Sequence, residues 1–136
     1  MMLVKTYLSL SSIEGLGVFT AEPIAKGQNC WRLDTAFDRL IPVAEVARAP
    51  QEMQIFLDRY GYTYAPDPDY IVLDVDDGRY MNHADRPNLN FSDQVNGIAT
   101  RDIAAGEELT CDYRTFTVGE IIHLPPRMPA DARKAS

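Results

Sequence analysis

Ten consecutive residues, Arg79-Tyr80-Met81-Asn82-His83-Ala84-Asp85-Arg86-Pro87-Asn88, constrain this chain more than any other stretch. They bring together two amides, an imidazole, a carboxylate and two guanidinium groups. Pro87 has no backbone N–H to give and a fixed φ, so the decapeptide cannot run on as a regular helix or a central strand. The expectation is a shaped loop at the end of a strand, where polar side chains converge on a ligand. Tyr70 to Asp76 reads as that strand, and Asp77-Gly78 as the tight-turn pair that delivers the chain into the loop.

The rest of the chain reads as short strands punctuated by glycine and proline. Leu3 to Leu10 is an edge strand, and Gly15-Leu16-Gly17 is a turn that opens into another. Gly-x-Gly lets a backbone approach a ligand closely, although a plain hairpin turn explains it equally well and no helix follows as in a dinucleotide fingerprint. Strands are expected over 28–33, 89–91, 95–100 and 109–113, with Asn96-Gly97 marking a hairpin. Ile24-Ala25-Lys26-Gly27 and Ile103-Ala104-Ala105-Gly106 are similar phrases between apolar runs, which suggests two corners built alike. One convincing helix begins near Pro50 and stops at Gly61, and its stripe of Met53, Phe56, Leu57 and Tyr60 is read as core. Val43 to Arg48 forms an earlier helical turn, Tyr62 to Asp69 a loop, and 119–136 a loosely ordered tail. The class is mainly β with a short helical insert.

The chain has 136 residues, 46% of them apolar and 24% charged, which suits one soluble domain. Nothing approaches the ~20 apolar residues of a membrane span, and the apolar start carries no cleavage-site signature. Two cysteines, Cys30 and Cys111, and two histidines argue against a disulfide framework or a dedicated metal site. Reduced thiols place the chain in the cytoplasm. A net charge of −7 speaks against direct nucleic-acid binding and is compatible with a basic peptide partner. A homodimer is compatible with these totals.

Taken singly, the polar residues have structural readings. Asn82 and Asn88 could cap turns, His83 could be a packed, hydrogen-bonded histidine, Tyr113 a core tyrosine, and Asp112 an ion-pair partner of Arg79 or Arg114. Jointly they resemble the SET-domain protein lysine methyltransferases. The decapeptide is similar to that family's R-F-x-N-H-S-x-x-P-N segment. Gly106-Glu107-Glu108-Leu109-Thr110-Cys111-Asp112-Tyr113 is similar to G-E-E-L-T-x-D-Y, and Gly15-Leu16-Gly17-Val18-Phe19 with Ile24-Ala25-Lys26-Gly27 to the N-terminal segment. Order and spacing agree over roughly residues 10 to 116.

The resemblance implies a SET domain over residues 1–118, with 42–69 as the variable insert that helps choose the substrate. It implies a β-clip-like fold of small sheets with a knot-like crossing near the C-terminus. It implies S-adenosylmethionine as cofactor, with Gly15, Leu16, Gly17, Arg79, Asn82 and His83 around it and Tyr113 as the catalytic residue. The substrate is a lysine of a protein or peptide, reached through a channel lined by Phe91, Cys111, Phe116 and Tyr64, with Tyr62 a further candidate wall. Methyl transfer from a sulfonium to an amine is an in-line displacement, so geometry carries much of the rate. The amine must be neutral, against a reference pKa of about 10.4. A sulfonium about 4 Å away at an effective dielectric of about 20 opposes an ammonium by roughly 4 kcal/mol, or about three pKa units. Tyr113 is then an orienting and electrostatic partner, not a strong base.

The chain also departs from the pattern. Ala84 stands where a serine is usual, and Cys111 where many relatives carry an aromatic residue that helps set the number of methyls added. The segment around Trp31 lacks the Tyr-x-Gly element, and the family's three-cysteine zinc site is missing after Phe116. These departures support an alternative, a catalytically idle SET-like module that binds a peptide or small ligand. A third reading is a thiol enzyme pairing Cys111 with His83.

Overall fold

The computed structural model describes residues 1–116, so the expected tail at 119–136 lies outside the described residues. In chain order the strands are β1 (Thr6–Leu10), β2 (Leu16–Thr20), β3 (Asn29–Arg32), β4 (Arg39–Pro42), β5 (Tyr62–Thr63), β6 (Tyr70–Leu73), β7 (Asn82–His83), β8 (Leu89–Asn90), β9 (Asn96–Ala99) and β10 (Glu108–Cys111). Helices α1 (Val43–Arg48) and α2 (Gln51–Tyr60) lie between β4 and β5, and short 3-10 turns occupy Asp77–Tyr80 and Tyr113–Phe116. The strands form three small sheets, β1-β2-β10-β7, β3-β9-β8 and β4-β6-β5. In the first, β10 is antiparallel to β2 and parallel to β7, which lays the decapeptide alongside the Glu108–Cys111 strand.

The two Ile-Ala-x-Gly phrases turn out to face each other. Ile24 and Ile103 exchange both backbone hydrogen bonds, at 2.9 and 2.8 Å, and are 2% and 1% exposed. Each corner closes on a glycine in the left-handed region, Gly27 at φ 86 and Gly106 at φ 88, where a side chain would be strained. The Asp102 carboxylate accepts from Lys26 N at 2.8 Å and ties the corners further. Between the sheets sits one core, built from Val18, Ile24, Trp31, Met81, Leu89, Phe91, Ile103, Leu109 and Cys111.

Several local expectations are corrected. Asn96-Gly97 lies inside β9, and the bend before it is made by Asp93, whose carboxylate accepts from Val95 N and Asn96 N, with Gln94 at φ 59. Gly97 is glycine for another reason, because a Cβ there would stand 2.7 Å from Phe91 Cζ. The α2 stripe is mostly not core. Leu57 is its one buried residue, while Met53 is 48% exposed. The helix covers a flank through the Phe56–Tyr60–Tyr80 rings, 4.9 and 5.2 Å apart, and leaves the central core to the strands. Pro50 takes the N-cap position, one residue before the helix proper, and Gly61 ends the helix in an extended conformation at φ −85. Asp77-Gly78 opens a 3-10 turn capped by Asp76, not a strand hairpin, and Tyr62-Thr63 pairs with β6 instead of looping.

Candidate active site

Asn82 is the hinge between two distant segments. It is nearly buried on β7, and its Nδ2 group faces the carbonyls of Glu14 and Leu16 at 3.0 and 3.1 Å and Glu108 Oε1 at 2.9 Å. The Gly15-Leu16-Gly17 turn is thereby stapled to the decapeptide. Gly17 suits this closeness, since a Cβ there would press on the Glu108 carboxylate and displace it, while Gly15 takes a left-handed φ of 48. Glu108 also accepts from Ser11 Oγ at 2.9 Å. The sequence marked Glu108 only as a member of the Gly106–Tyr113 segment and gave it no role of its own.

Asn88 belongs to the same seam but binds the sheet, not an open surface. It is 5% exposed, gives Nδ2 to Glu108 O at 2.8 Å and accepts Thr110 N at 2.9 Å. His83 faces the end of β10, where Nδ1 accepts the Tyr113 N–H at 3.0 Å and Nε2 lies 3.2 Å from Asp85 Oδ1. A neutral ring that accepts at Nδ1 carries its proton on Nε2. Asp112 pairs with Arg114 at 2.7 Å, not with Arg79. Arg79 sits apart from the Asn82 seam, with Nε and Nη2 on the Asp74 carbonyl at 3.0 and 2.9 Å and its guanidinium over the Phe56 ring.

Tyr113 donates its hydroxyl to the Met81 carbonyl at 2.6 Å, one residue from Asn82. Burial first, then the neighbouring Cys111, push its phenol well above the ordinary tyrosine value, so it stays protonated and cannot serve as a strong base. Cys111 is fully enclosed and its thiol is likewise pushed far up by burial, then by Asp74 and Asp112. The His83 ring is engaged with Tyr113 N and Asp85 instead, so no thiolate–imidazole pair exists for a thiol enzyme. Cys30 is also buried, with its thiol pushed up to about 11.

On the other side of Cys111 lies an aromatic enclosure. Phe91 stands 5.1 Å from Trp31 and 5.0 Å from Phe116, and Phe116 is 5.0 Å from Tyr62. Tyr62, Tyr64 and Phe116, with Leu33 and Gln94, line a cavity of about 360 Å³. Of the four expected wall residues, Tyr64 and Phe116 line this cavity, Phe91 packs behind Phe116, and Cys111 is buried in the core away from its lining. Trp31 and Asp74, which sequence reasoning did not single out, stand behind its lining, Trp31 against Phe116 and Asp74 on the Tyr62 hydroxyl. The Asp74 carboxylate accepts Trp31 Nε1–H at 3.1 Å and Tyr62 O–H at 3.0 Å. Burial above all pushes its carboxyl up to about 6, against the opposing pull of the N-terminal ammonium. No group of three potential metal-binding side chains occurs among the described residues.

The SET domain family profile matches residues 15–114. The chain belongs to the SET domain family. Across 118 residues it is 35% identical to the histone-lysine N-methyltransferase SUV39H1 of Xenopus laevis, covering 73% of this chain and 26% of that protein. The chain therefore spans about a quarter of that relative. A Plasmodium falciparum crystal structure, described as a candidate histone methyltransferase, superposes with a TM-score of 0.58 at 26% identity, over 82% of this chain and 95% of that one. Polycomb Repressive Complex 2 of Chaetomium thermophilum, bound to S-adenosylmethionine in an autoinhibited conformation, matches with a TM-score of 0.62 at 26% identity, over 83% of this chain and 15% of that one. Met81 and Cys111 share one buried core cluster with Trp31 and Phe91, and Tyr113 and Phe116 pack against it.

Proposed function

We propose that this SET domain transfers methyl groups from S-adenosylmethionine to the side-chain amine of a lysine in a protein or peptide. The observation that carries this reading is the convergence of the Gly15–Gly17 turn, Asn82, Met81 and Tyr113. Asn82 holds the Gly15–Gly17 turn, and the next residue back, Met81, holds the Tyr113 hydroxyl through its carbonyl. The residues present suit the cofactor. The Gly15–Gly17 backbone and Asn82 offer a compact polar cradle. The bound cofactor supplies an electrophilic methyl on a sulfonium.

The protein's own part is to hold and to exclude. Tyr113, locked as a neutral phenol on Met81, fixes the carbonyl beside the place where the amine arrives. Phe91, Phe116, Tyr62 and Tyr64 give the aliphatic stem of a lysine an aromatic sleeve, and low polarity there favours the neutral amine. The net charge of −7 draws basic peptides toward the domain. Isothermal calorimetry with S-adenosylmethionine tests the cradle directly. Saturable binding that weakens at least tenfold in Asn82→Ala supports it, and no heat at millimolar cofactor contradicts it. Binding with no transfer to any of a panel of lysine-rich peptides would instead identify an idle binding module.

A further inference from the structure

Strand β1 forms the outer edge of the β1-β2-β10-β7 sheet, and its free side is a row of backbone hydrogen-bonding groups. The ladder with β2 fixes which residues supply them. Lys5 O accepts Ala21 N at 2.9 Å and Ser11 N donates to Gly15 O at 2.8 Å, so the odd-numbered residues of this stretch bond to β2. In an antiparallel pair the bonded and non-bonded positions alternate. Thr6, Leu8 and Leu10 therefore turn their N–H and C=O groups away from β2, and no other described element takes them. Among the described residues every other sheet edge is blunted. Strands β5, β7 and β8 are two residues long, β3 is bulged and bridged by Met2, and β4 ends on Pro42. Over Thr6–Leu10 there is no proline, no bulge and no charged side chain, the devices that stop an edge from pairing. An apolar stripe runs along the same strand, with Leu8, Leu10 and the cross-strand Leu16 37%, 56% and 43% exposed on one face.

We propose that β1 is the surface at which two copies of this chain join, pairing antiparallel about a two-fold axis through Leu8. The inference is independent of the methyl-transfer reading. The backbone itself selects this register. Leu8 meets Leu8 and Thr6 meets Leu10 of the partner copy, so every outward-facing residue finds another and exchanges both hydrogen bonds. A shift by one residue would set outward groups against inward ones. The sheets join in the order β7-β10-β2-β1-β1-β2-β10-β7, a closed two-fold assembly. Leu8, Leu10 and Leu16 of both copies then lie on one face and cover one another. On the opposite face, with Tyr7 and Ser9, the exposed Lys5 of each copy comes opposite Ser11 of the other. The Ser11 hydroxyl donates to Glu108 at 2.9 Å, so the Lys5 ammonium approaches that carboxylate, a charge complementarity repeated by the symmetry. Glu108 also holds Asn82 at 2.9 Å, and each copy thereby lends a cation to the wall of the other's cradle. The net charge of −7 opposes association only weakly at this strand, because residues 6–13 carry no charge and salt screens the rest beyond about 8 Å.

Sedimentation velocity on the full chain at micromolar concentrations reads the assembly directly. Wild type is expected as a dimer. Leu8→Pro removes an outward N–H and leaves the β1–β2 ladder its bonds, so it is expected as a folded monomer. Lys5→Glu changes no backbone group and sets like charges beside Glu108, which should raise the dissociation constant about tenfold. Leu8→Cys checks the register. Opposed residues of a hydrogen-bonded pair sit about 5.5 Å apart, within disulfide range, so mild oxidation should trap a covalent dimer that Leu3→Cys does not form. Cys30 and Cys111 are buried and do not compete. If Leu8→Pro does not fold, Lys5→Glu and the cysteine variants decide. A wild-type chain that stays monomeric throughout the micromolar range overturns the inference. So does a dimer that survives in folded Leu8→Pro, that Leu8→Cys does not cross-link, or whose dissociation constant Lys5→Glu leaves unmoved.

Discussion

At the scale of single residues, the candidate site is built from side chains that each satisfy more than one group. Asn82 spans two carbonyls and a carboxylate, so its loss leaves acceptors stranded in a poorly hydrated seam. An unsatisfied buried group costs roughly 1–3 kcal/mol, and Asn82→Ala is expected to lower unfolding stability by about 2–3 kcal/mol in urea titrations. A second expectation concerns pH. The Asp74 carboxyl sits at about 6 in the folded protein, above its ordinary value of about 3.9. The native state therefore binds the proton more tightly than the unfolded chain does. The stability this contributes is complete below about pH 4 and is lost as pH rises through about 6, amounting to roughly 3 kcal/mol. Wild type minus Asp74→Asn, compared by denaturant unfolding at pH 4.5 and 7.5, should reveal that slope; parallel curves would contradict it.

At the scale of elements, the two facing corners hold the sheets in place. Ile103 is 1% exposed and locked to Ile24 across the bridge, so Ile103→Ala should cost about 2–5 kcal/mol. Met53→Ala on the exposed side of α2 should stay within about 0.5 kcal/mol, and thermal melts of the two variants separate them. These elements also mark where sequence reasoning succeeds and where it stops. The repeated Ile-Ala-x-Gly phrase was legible because it needs glycine at a left-handed position. That the corners pair with each other was not, because long-range pairing leaves no local trace. The α2 periodicity correctly named a helix, but periodicity reports an apolar face, not the depth to which it is buried. Asn96-Gly97 misled because glycine was read as a turn residue, when its role is to admit the Phe91 ring.

At the scale of the whole molecule, motif order makes the polar decapeptide and the Glu108–Tyr113 segment readable as partners, and the parallel pairing of β7 with β10 lays them side by side. The aromatic cavity is legible only in outline. Tyr64 and Phe116 line it as the sequence suggests, Phe91 and Cys111 do not, and Trp31 and Asp74 leave no sign because their partnership with Tyr62 joins three separate stretches of chain. A buried carboxylate gives no sign of burial in a chain with 20 acidic residues. The central claim is that this arrangement carries out methyl transfer with Tyr113 as its orienting phenol. The direct measurement is incorporation of labelled methyl from S-adenosylmethionine into lysine-rich peptides by wild type and Tyr113→Phe, with cofactor affinity measured in parallel. The account predicts transfer to lysine by wild type, and its loss in Tyr113→Phe with cofactor binding nearly intact. Turnover retained in Tyr113→Phe would contradict it.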